Sequence, residues 1–422
     1  MTQQRRPRRR KKNKPLLTRR AFLAGAGAAA AGLAAWQLWP RLSALQSPTA
    51  PAEPNPALPA GEWRAAWVSY LEWAEMDFSS QETFRAGAAQ LMDNCAALGL
   101  NTVLAQVRPF GDALYPSRLY PWSHLCTGTQ GQDPGFDPLD ILITEAHVRG
   151  LSLEAWVNPY RLRASAAQPA VLAPSNLACT HPDWVWTDPD TGGLYLNPAC
   201  PEAARYVVQG VAELVQNYPV DGIHFDDYFY PTTDAGFDSA SYQAYKNKGG
   251  SLSLAAWRRQ NVNDLVKQVY AAVKQADGEV LFGISPQGNM DNNYNKQFID
   301  VKKWLSEEGY LDYICPQVYF GFKNSTCPYE QTVEEWNDLI QNKVQLVVGL
   351  SPYKVGLEDA YAGNGRWEWA NSGDILARMV ETARKEEHYQ GFALFRYNSV
   401  FQPESSVRPA ILEELDSLQE VL

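Results

Sequence analysis

The sequence predicts an α/β fold, a single TIM (β/α)8 barrel with long βα loops. Three observations predict it: short β-rich runs alternate with longer amphipathic stretches from Glu62 onward, eight such units can be counted, and five of the eight strand candidates end in polar residues. Alternating strands and helices are typical of a parallel sheet with crossover helices, and barrels of this kind can exceed about 400 residues when their loops are long. The runner-up is an open doubly wound sheet, which is disfavoured because no GxGxxG or P-loop motif follows the first strand.

The strand candidates are short β-rich runs, and brief turn sequences precede most of them. Leu98-Gly99-Leu100-Asn101 precedes the second strand, and Tyr218-Pro219-Val220-Asp221 precedes the fourth. In chain order the predicted strands are Trp63 to Tyr70, Thr102 to Val107, Leu153 to Val157, Gly222 to Phe225, Val280 to Ile284, Tyr313 to Pro316, Gln345 to Gly349 and Gly391 to Phe395.

Longer amphipathic stretches follow the strands, as the crossover helices of a parallel sheet require. We expect each to bury its apolar face against the sheet. In chain order the predicted helices are Glu82 to Leu98, Pro138 to Arg149, Glu202 to Asn217, Leu254 to Gln275, Phe298 to Glu308, Val333 to Asn342, Asp374 to Glu387 and Ser406 to Leu422.

The charge of the chain is unevenly distributed, and this excludes nucleic acid as a partner. The net charge is -10, but residues 1–20 carry ten Lys or Arg and no acid, so 27 basic and 47 acidic residues remain in the rest of the chain. A body with an excess of 20 negative charges repels a phosphate backbone. Aromatic residues make up 12% of the chain, including 14 Trp and 21 Tyr, and flat rings are what sugar faces stack on.

Residues 1–40 have the pattern of a targeting segment. A basic stretch precedes Thr18-Arg19-Arg20-Ala21-Phe22-Leu23 and an uncharged run from Ala21 to Trp39, which resembles a twin-arginine export signal. We therefore expect an exported, extracytoplasmic protein, either secreted or tethered to the cell membrane through this segment, because an uncleaved run of about 19 apolar residues can span a bilayer. Residues 41–60 contain five prolines and are predicted to be an extended linker. Residues 61–422 then form the barrel.

The six cysteines point to neither a metal nor a catalytic thiol. Cys95, Cys126, Cys179, Cys200, Cys315 and Cys327 lie far apart without zinc-ligand spacing. A Cys179 to Cys200 disulfide is permissible in an exported protein, although a chain of this size does not need it. The five histidines form no HExxH motif and there is no GxSxG elbow. We expect no metal and no cofactor.

Polar side chains at the carboxyl ends of the strands mark the expected site, because that end of a TIM barrel carries the chemistry. Alternation along the fourth strand puts Ile223 and Phe225 toward the helices and His224 and Asp226 toward the barrel axis, with Asp227 at the rim. Glycoside hydrolysis usually needs two carboxyl groups, one to protonate the leaving oxygen and one to stabilise or attack the anomeric carbon. Adjacent acids at a barrel mouth suit this reaction, although either one can instead cap a loop amide.

Five ordered motifs at successive strand ends resemble the glycosyl hydrolase-like 10 family. The resemblance covers the chain from Glu62 to the last strand and implies a TIM-barrel enzyme of the bacterial envelope that cleaves glycosidic bonds, with cell-wall glycan strands as the suggested substrate. The motifs are Gln106-Val107-Arg108-Pro109 with Gly111-Asp112-Ala113-Leu114-Tyr115-Pro116-Ser117, Trp156-Val157-Asn158-Pro159-Tyr160-Arg161, Asp221-Gly222-Ile223-His224-Phe225-Asp226-Asp227-Tyr228, Ile284-Ser285-Pro286 and Pro316-Gln317-Val318-Tyr319.

The partner of Asp226 is left open by the sequence. A chitinase-type strand would end in Asp-x-Asp-x-Glu, but Tyr228 stands where the Glu acid is expected, so a mechanism of that kind is disfavoured. The remaining candidates for the second carboxylate are Asp227, Asp112, Glu154, Asp291 and Glu368. Asp226, Asp227 and Asp112 are the predicted catalytic residues, and the alternative for Asp112 is a turn-forming role.

Residues predicted to bind substrate surround these acids. The two arginines could hold acidic sugar substituents or keep a carboxylate ionised, and the amides could bind hydroxyl groups; a purely structural ion-pair network is the alternative. The predicted set is Arg108, Asn158, Tyr160, Arg161, His224, Tyr228, Gln287, Asn289, Gln317, Tyr319 and Trp367.

The sequence therefore predicts an exported glycoside hydrolase that cleaves a bacterial envelope polysaccharide, with peptidoglycan glycan strands as the suggested substrate, by carboxylate acid/base catalysis. Its expected partner is the polysaccharide or glycan strand, and its contact with the membrane is through the N-terminal segment alone. The alternative is a glycan-binding barrel of the envelope that keeps the groove without catalysing hydrolysis.

Overall fold

Eight parallel strands close into a barrel, and this confirms the predicted TIM-barrel fold. The computed structural model describes residues 61–422, which fold as one compact unit. The barrel strands are β1 (Trp63–Val68), β2 (Thr102–Arg108), β3 (Ser152–Val157), β7 (Gly222–Phe225), β8 (Leu281–Ile284), β9 (Tyr313–Ile314), β10 (Gln345–Leu350) and β11 (Tyr389–Leu394). Around the barrel they follow the order β1-β11-β10-β9-β8-β7-β3-β2.

A small antiparallel sheet, which the sequence analysis did not predict, lies in the long loop after β3. Its strands are β4 (Arg161–Arg163), β5 (Val185–Thr187) and β6 (Leu194–Leu196), in the order β4-β6-β5. Three residues per strand are too few for a period-2 pattern to stand out in the sequence. The sheet fixes the course of the chain directly after Asn158.

Helices connect the strands, and most cover the outside of the barrel. Pro138 occupies the first turn of its helix, where its missing N–H costs nothing. The α-helices are Tyr70–Trp73, Gln81–Ala97, His124–Thr127, Pro138–His147, Leu177–Thr180, Pro201–Asn217, Ser239–Asn247, Leu254–Ala276, Met290–Asn292, Val301–Ser306, Tyr329–Asp338, Ile375–Ala383, Tyr397–Phe401 and Arg408–Gln419. Shorter helical turns lie at Pro182–Trp184, Asn293–Gln297, Pro352–Lys354 and Gly363–Gly365.

Several predicted element bounds differ from the structure: the helix predicted over Val333 to Asn342 spans Tyr329–Asp338, and the helix predicted over Asp374 to Glu387 spans Ile375–Ala383. Two other differences have identifiable reasons. The strand predicted over Trp63 to Tyr70 ends at Val68, because Ser69 caps a short helix and Glu72 returns a hydrogen bond to the Ser69 N–H at 2.9 Å. The helix predicted over Phe298 to Glu308 begins at Val301, because Phe298 has a left-handed backbone with φ 58°.

The core has two shells. Side chains of the helices and the outer faces of the strands form the larger shell, which includes Ile223 and Phe225. The barrel interior is a second cluster that contains Trp67, Trp156 and Tyr313. Gly283 makes room for it, since a Cβ at this position would lie 2.0 Å from the Tyr313 ring. Ile223 and Phe225 thus lie in the outer shell, whereas His224 contacts Trp67 and Tyr313 of the barrel interior. This confirms the predicted alternation of β7.

Three further points concern the cysteines, membrane-spanning helices and the N-terminal segments. All six cysteines are free, so Cys179 and Cys200 form no disulfide. Among residues 61–422, no helix combines the length and the apolar composition that crossing a bilayer requires. The predicted export signal (residues 1–40) and linker (residues 41–60) lie outside the described residues.

Candidate active site

A cavity of about 650 Å³ opens at the carboxyl ends of the barrel strands, a size typical of ligand pockets. Residues that follow β1, β7, β8, β9, β10 and β11 all contribute to its wall. Eight of the predicted site residues line it: Asp226, Asp227, Arg161, Tyr228, Gln287, Asn289, Gln317 and Tyr319.

Asp226 follows directly after β7 and is held in the wall of the cavity by three donors. Its Oδ2 accepts hydrogen bonds from Asn158 Nδ2 at 2.7 Å and Trp156 Nε1 at 3.2 Å, and its Oδ1 accepts one from the Tyr228 N–H at 3.2 Å. The side chain is 4% exposed. Burial, reinforced by the neighbouring Asp227 charge, raises the pKa of Asp226 from 3.8 to about 7. At neutral pH this carboxyl group is therefore partly protonated.

Asp227 has a different environment, in which three glutamine amides reach its carboxylate. Gln287 Nε2 and Gln297 Nε2 donate to Oδ2 at 3.1 and 2.7 Å, and Gln317 Nε2 donates to Oδ1 at 3.2 Å. An ionised carboxylate is an acceptor only, so a ring of amide donors suits its anionic form. The two adjacent aspartates thus differ sharply in their hydrogen-bond partners.

The amides around Asp227 are positioned by short extensions of the barrel. Gln287 and Gln317 form a parallel bridge just beyond β8 and β9, and Gln317 pairs in the same way with Gly349. Gln297 comes from the helical turn Asn293–Gln297, which ends where Phe298 takes up its left-handed conformation and buries its ring. Gln297 was not among the predicted site residues, because it lies in a loop well past the end of β8.

Arg161, the first residue of β4, lies in the cavity wall among aromatic rings. Its guanidinium carbon is 4.7 Å from the Tyr228 ring centre and 5.0 Å from that of Phe110, and its Nε donates to the Pro109 carbonyl at 3.2 Å. The positive charge of Arg161 lowers the pKa of Asp226, although burial outweighs it. Arg161 and Asp226 therefore interact electrostatically without forming an ion pair within 4 Å.

Two predicted substrate-binding residues instead lie beneath the cavity and support its wall. Asn158 is fully buried; it accepts from Gln106 Nε2 at 2.6 Å and donates to Asp226. His224 is also fully buried, with Nε2 3.1 Å from Trp67 Nε1 and Nδ1 2.7 Å from the Tyr313 hydroxyl. Burial lowers the pKa of His224 to about 3, so the ring is neutral.

Asp112, predicted as a catalytic carboxylate, lies outside the cavity. It is fully buried in the loop after β2, where its Oδ2 is 3.0 Å from His124 Nδ1 and accepts from Gln130 Nε2 at 2.8 Å. These contacts connect the segments that follow β2. Its interpretation as a loop-forming residue is the one that the geometry favours.

Three further predicted binding residues also lie away from the cavity. Arg108 falls after a register shift in the β2–β3 pairing, which reverses its expected side; it stacks 4.5 Å from the ring centre of Tyr120 instead. Tyr160 is fully buried in the outer shell. Trp367 is half exposed and lines a separate hollow with Glu368.

The other carboxylates that the sequence left open do not join the Asp226–Asp227 pair. Glu154 is sealed inside the barrel, where its carboxyl accepts from the Tyr313 hydroxyl at 2.6 Å and burial raises its pKa well above 4.5. Asp291 lines a neighbouring cavity. Among residues 61–422, no three His, Cys, Asp or Glu side chains cluster in a way that could hold a metal ion.

Residues that the predicted set did not include complete the cavity. Tyr70, from the short helix after β1, and Lys354, Asp359 and Tyr361, from the loop after β10, line its mouth. Lys354 Nζ donates to Asp359 Oδ2 and to the Tyr319 carbonyl, both at 2.7 Å. No strand pattern marks these positions, because they lie in loops whose course depends on tertiary contacts.

The sequence matches one family profile and is similar to proteins from two bacteria. A profile of the family described as glycosyl hydrolase-like 10 matches residues 62–367. Glycosyl hydrolase YngK of Bacillus subtilis (strain 168) is 36% identical over 316 residues, which cover 70% of this chain and 61% of YngK. Glycosyl hydrolase DigH of Escherichia coli (strain K12) is 33% identical over 386 residues, which cover 84% of this chain and 86% of DigH.

Solved structures with low sequence identity share the fold. The glycoside hydrolase domain of PgaB (BpsB) from Bordetella bronchiseptica superposes with a TM-score of 0.53 at 14% identity, covering 86% of this chain and 99% of that domain. The catalytic domain of β-amylase from Paenibacillus polymyxa gives 0.55 at 12% identity, covering 86% and 100%. These similarities support the barrel architecture.

Proposed function

The chain belongs to the glycosyl hydrolase-like 10 family and is a glycosidase, and we propose that it hydrolyses O-glycosidic bonds in a bacterial envelope polysaccharide, the glycan strands of peptidoglycan, using Asp226 and Asp227. The observation that carries the catalytic part is the contrast between these adjacent carboxyl groups. Burial raises the pKa of Asp226 to about 7, while three amides donate to Asp227. When two neighbouring carboxyl groups have such different surroundings, the buried group is suited to act as the acid and the other to remain a carboxylate.

In the proposed reaction Asp226 is the general acid. Its Oδ2 accepts two hydrogen bonds and its Oδ1 only one, from the Tyr228 N–H, so we assign the proton to Oδ1. From there it is delivered to the glycosidic oxygen as the bond to the anomeric carbon breaks. Asp227 stabilises the positive charge that develops at the anomeric carbon. Water supplies the hydroxyl group at that carbon, and the proton that water loses restores the acid form of Asp226.

The cavity lining suits a sugar chain. Tyr228 and Tyr361 are 47% and 96% exposed at the cavity wall and offer faces on which sugar rings can stack. Gln287, Asn289 and Gln317 line the same space. The Nε2 atoms of the two glutamines donate to Asp227, which leaves their amide carbonyl oxygens to accept from sugar hydroxyl or acetamido groups.

Export of the enzyme is part of the proposal. The basic residues before Ala21, the twin arginines Arg19-Arg20 and the apolar run to Trp39 support it, and the family resemblance of the strand-end motifs supports a place in the cell envelope. An extracytoplasmic enzyme would meet envelope glycans directly.

The test is product analysis by mass spectrometry after incubation with peptidoglycan, peptide-free glycan strands, chitin oligomers and plant β-glycans. We expect new reducing ends from the two cell-wall preparations and none when Asp226→Asn is used. Release from chitin or plant β-glycans alone would replace the proposed substrate. No release from any of the four would contradict hydrolysis and favour a glycan-binding barrel.

A further inference from the structure

Arg161 is a buried cation that forms no direct ion pair with a residue in the described part of the chain. The residue is 7% exposed and lines the cavity. Its Nε donates to the Pro109 carbonyl at 3.2 Å, and this is the only hydrogen bond that the Arg161 side chain donates to a residue in the described range 61–422. Arginine does not lose its proton in proteins, and a charge removed from water is costly unless an opposite charge accompanies it.

The nearby carboxyl groups act on Arg161 only at a distance and form no direct ion pair with it. Asp226 takes its hydrogen bonds from Asn158, Trp156 and the Tyr228 N–H, and it forms no ion pair with Arg161. Lys354, a second cation in the cavity wall, differs because Asp359 pairs with it at 2.7 Å. The guanidinium group of Arg161 can therefore donate hydrogen bonds to a ligand in the cavity.

The surroundings hold this guanidinium group in place. The rings of Tyr228, Phe110 and Tyr70 lie 4.7, 5.0 and 5.6 Å from its guanidinium carbon, and the Pro109 carbonyl fixes Nε. An arginine held in this way binds a planar anion through two parallel hydrogen bonds with little loss of side-chain freedom.

We propose that Arg161 is the recognition site for a carboxylate group of the substrate, and that the enzyme therefore selects acidic glycans. The inference rests on the proposed function, since it names the chemistry of the glycan that the same cavity cleaves. A carboxylate carries one negative charge, and its two oxygens match two parallel N–H donors of the guanidinium. A phosphate monoester carries about two negative charges, so Asp227 in the same cavity would repel it more strongly.

Matched substrates test the proposal on the unmodified enzyme. One pair is a glycan-strand oligosaccharide with free lactyl-ether carboxylates and the same oligosaccharide after reduction of its carboxyl groups to alcohols. A second pair carries the carboxylate at C6, as a uronic acid, and is reduced in the same way. We expect kcat/KM for the acid form to exceed that for the reduced form by about 10- to 100-fold in at least one pair, the range of a charge-assisted hydrogen bond. A ratio near one in both pairs would overturn the proposal.

Variants locate the preference at Arg161. Arg161→Gln should bring the acid-to-reduced ratio close to one, and Arg161→Lys should leave an intermediate ratio, because it keeps the charge and loses the parallel N–H donors. Arg163→Gln is the matched control: it removes the same charge from the same strand, but Arg163 donates to the Gly192 carbonyl and lies outside the cavity. Its ratio should equal that of the unmodified enzyme.

Two other outcomes are distinguishable. If Arg161 serves only to tune Asp226, Arg161→Gln will shift the pH profile and lower kcat equally for both members of a pair, and the unchanged ratio would refute carboxylate recognition. If the unmodified enzyme cleaves neither pair, the proposed function fails, and calorimetry of Asp226→Asn with the same oligosaccharides then tests Arg161 alone. Tighter binding of the acid form by about 10-fold would support it, and equal binding would not.

Discussion

The Asn158 amide donates to Oδ2 of Asp226 at 2.7 Å, and Asn158 is itself oriented by Gln106 Nε2 at 2.6 Å. Gln106 in turn accepts from the Tyr70 N–H at 2.8 Å. A chain of hydrogen bonds thus runs from the short helix after β1, through Gln106 of β2 and Asn158 beyond β3, to the carboxyl group that follows β7. It fixes Oδ2 of Asp226, whereas Oδ1 accepts only one hydrogen bond, from the Tyr228 N–H at 3.2 Å.

Asp226→Asn should abolish most of the turnover while leaving substrate binding nearly intact. The amide is isosteric but cannot deliver a proton, and loss of a general acid typically costs about 10²- to 10⁴-fold in rate. Initial rates and calorimetric binding to the same oligosaccharide would measure the two effects separately. Asp234→Asn, an exposed change in the same loop, is the control and should retain full activity. An Asp226→Asn enzyme with normal kcat would refute the assignment.

The pH dependence of kcat/KM should show a basic limb near pH 7. The acid form of Asp226 is needed, and its pKa is raised to about 7 by burial and by Asp227, so activity should fall as the pH rises through this value. Trp156→Phe should move this limb to higher pH, because the indole hydrogen bond lowers the pKa of Asp226. A limb that stays in place in Trp156→Phe would argue against Asp226 as the titrating group.

Burial of Asp226 should also make the protein less stable as the pH rises. The folded state holds the proton up to about pH 7 and the unfolded chain releases it near pH 3.8, so the free energy of unfolding should decrease between these values. At about 1.4 kcal/mol per pKa unit the full effect is at most about 4 kcal/mol. Asp226→Asn should remove this dependence. The free energy of unfolding of the variant, minus that of the unmodified protein, should therefore be larger at pH 8 than at pH 4.5. Urea titrations at the two pH values measure this difference, and an equal difference at both would contradict the raised pKa.

The barrel was predictable because its signals are local and repeated. Every predicted barrel strand lies within two residues of the observed bounds, and the period of two along β7 correctly placed Ile223 and Phe225 in the outer shell and His224 in the barrel interior. The same rule was wrong for Arg108, because a register shift between Gln106 and Arg108 inverts the side-chain direction.

The support around the acids was less predictable because it depends on where loops fold. Asp112 has the sequence context of an active-site acid, but His124 and Gln130, both later in the chain, bind it beneath the surface. Gln297 reaches Asp227 because the helical turn that contains it ends at Phe298, whose backbone is left-handed. No pattern in the sequence predicts this conformation.

Gln297→Leu should lower kcat by about 10-fold. The change removes the 2.7 Å hydrogen bond to Asp227, and a hydrogen bond to a charged group is worth about 1.5–3 kcal/mol. Gln297→Glu should be more severe, because it places a like charge against Asp227. Gln260→Leu removes a comparable amide-to-aspartate bond from an exposed helix surface and serves as the control. Unchanged initial rates for Gln297→Leu would show that Asp227 does not depend on this amide.

Tyr313→Phe should destabilise the barrel more than Glu154→Gln does. The Tyr313 hydroxyl bonds both Glu154 Oε2 at 2.6 Å and His224 Nδ1 at 2.7 Å, so its loss leaves two fully buried polar groups without this partner, at about 1–3 kcal/mol each. Glu154→Gln keeps a neutral acceptor in place of a carboxyl group whose pKa is well above 4.5, and should change the free energy of unfolding by about 1 kcal/mol or less. Urea denaturation at pH 7 measures both, with Tyr361→Phe as the exposed control. If Glu154→Gln proved the more damaging of the two, the carboxyl group would have to be ionised inside the barrel, and the neutral interior network described by these contacts would be wrong.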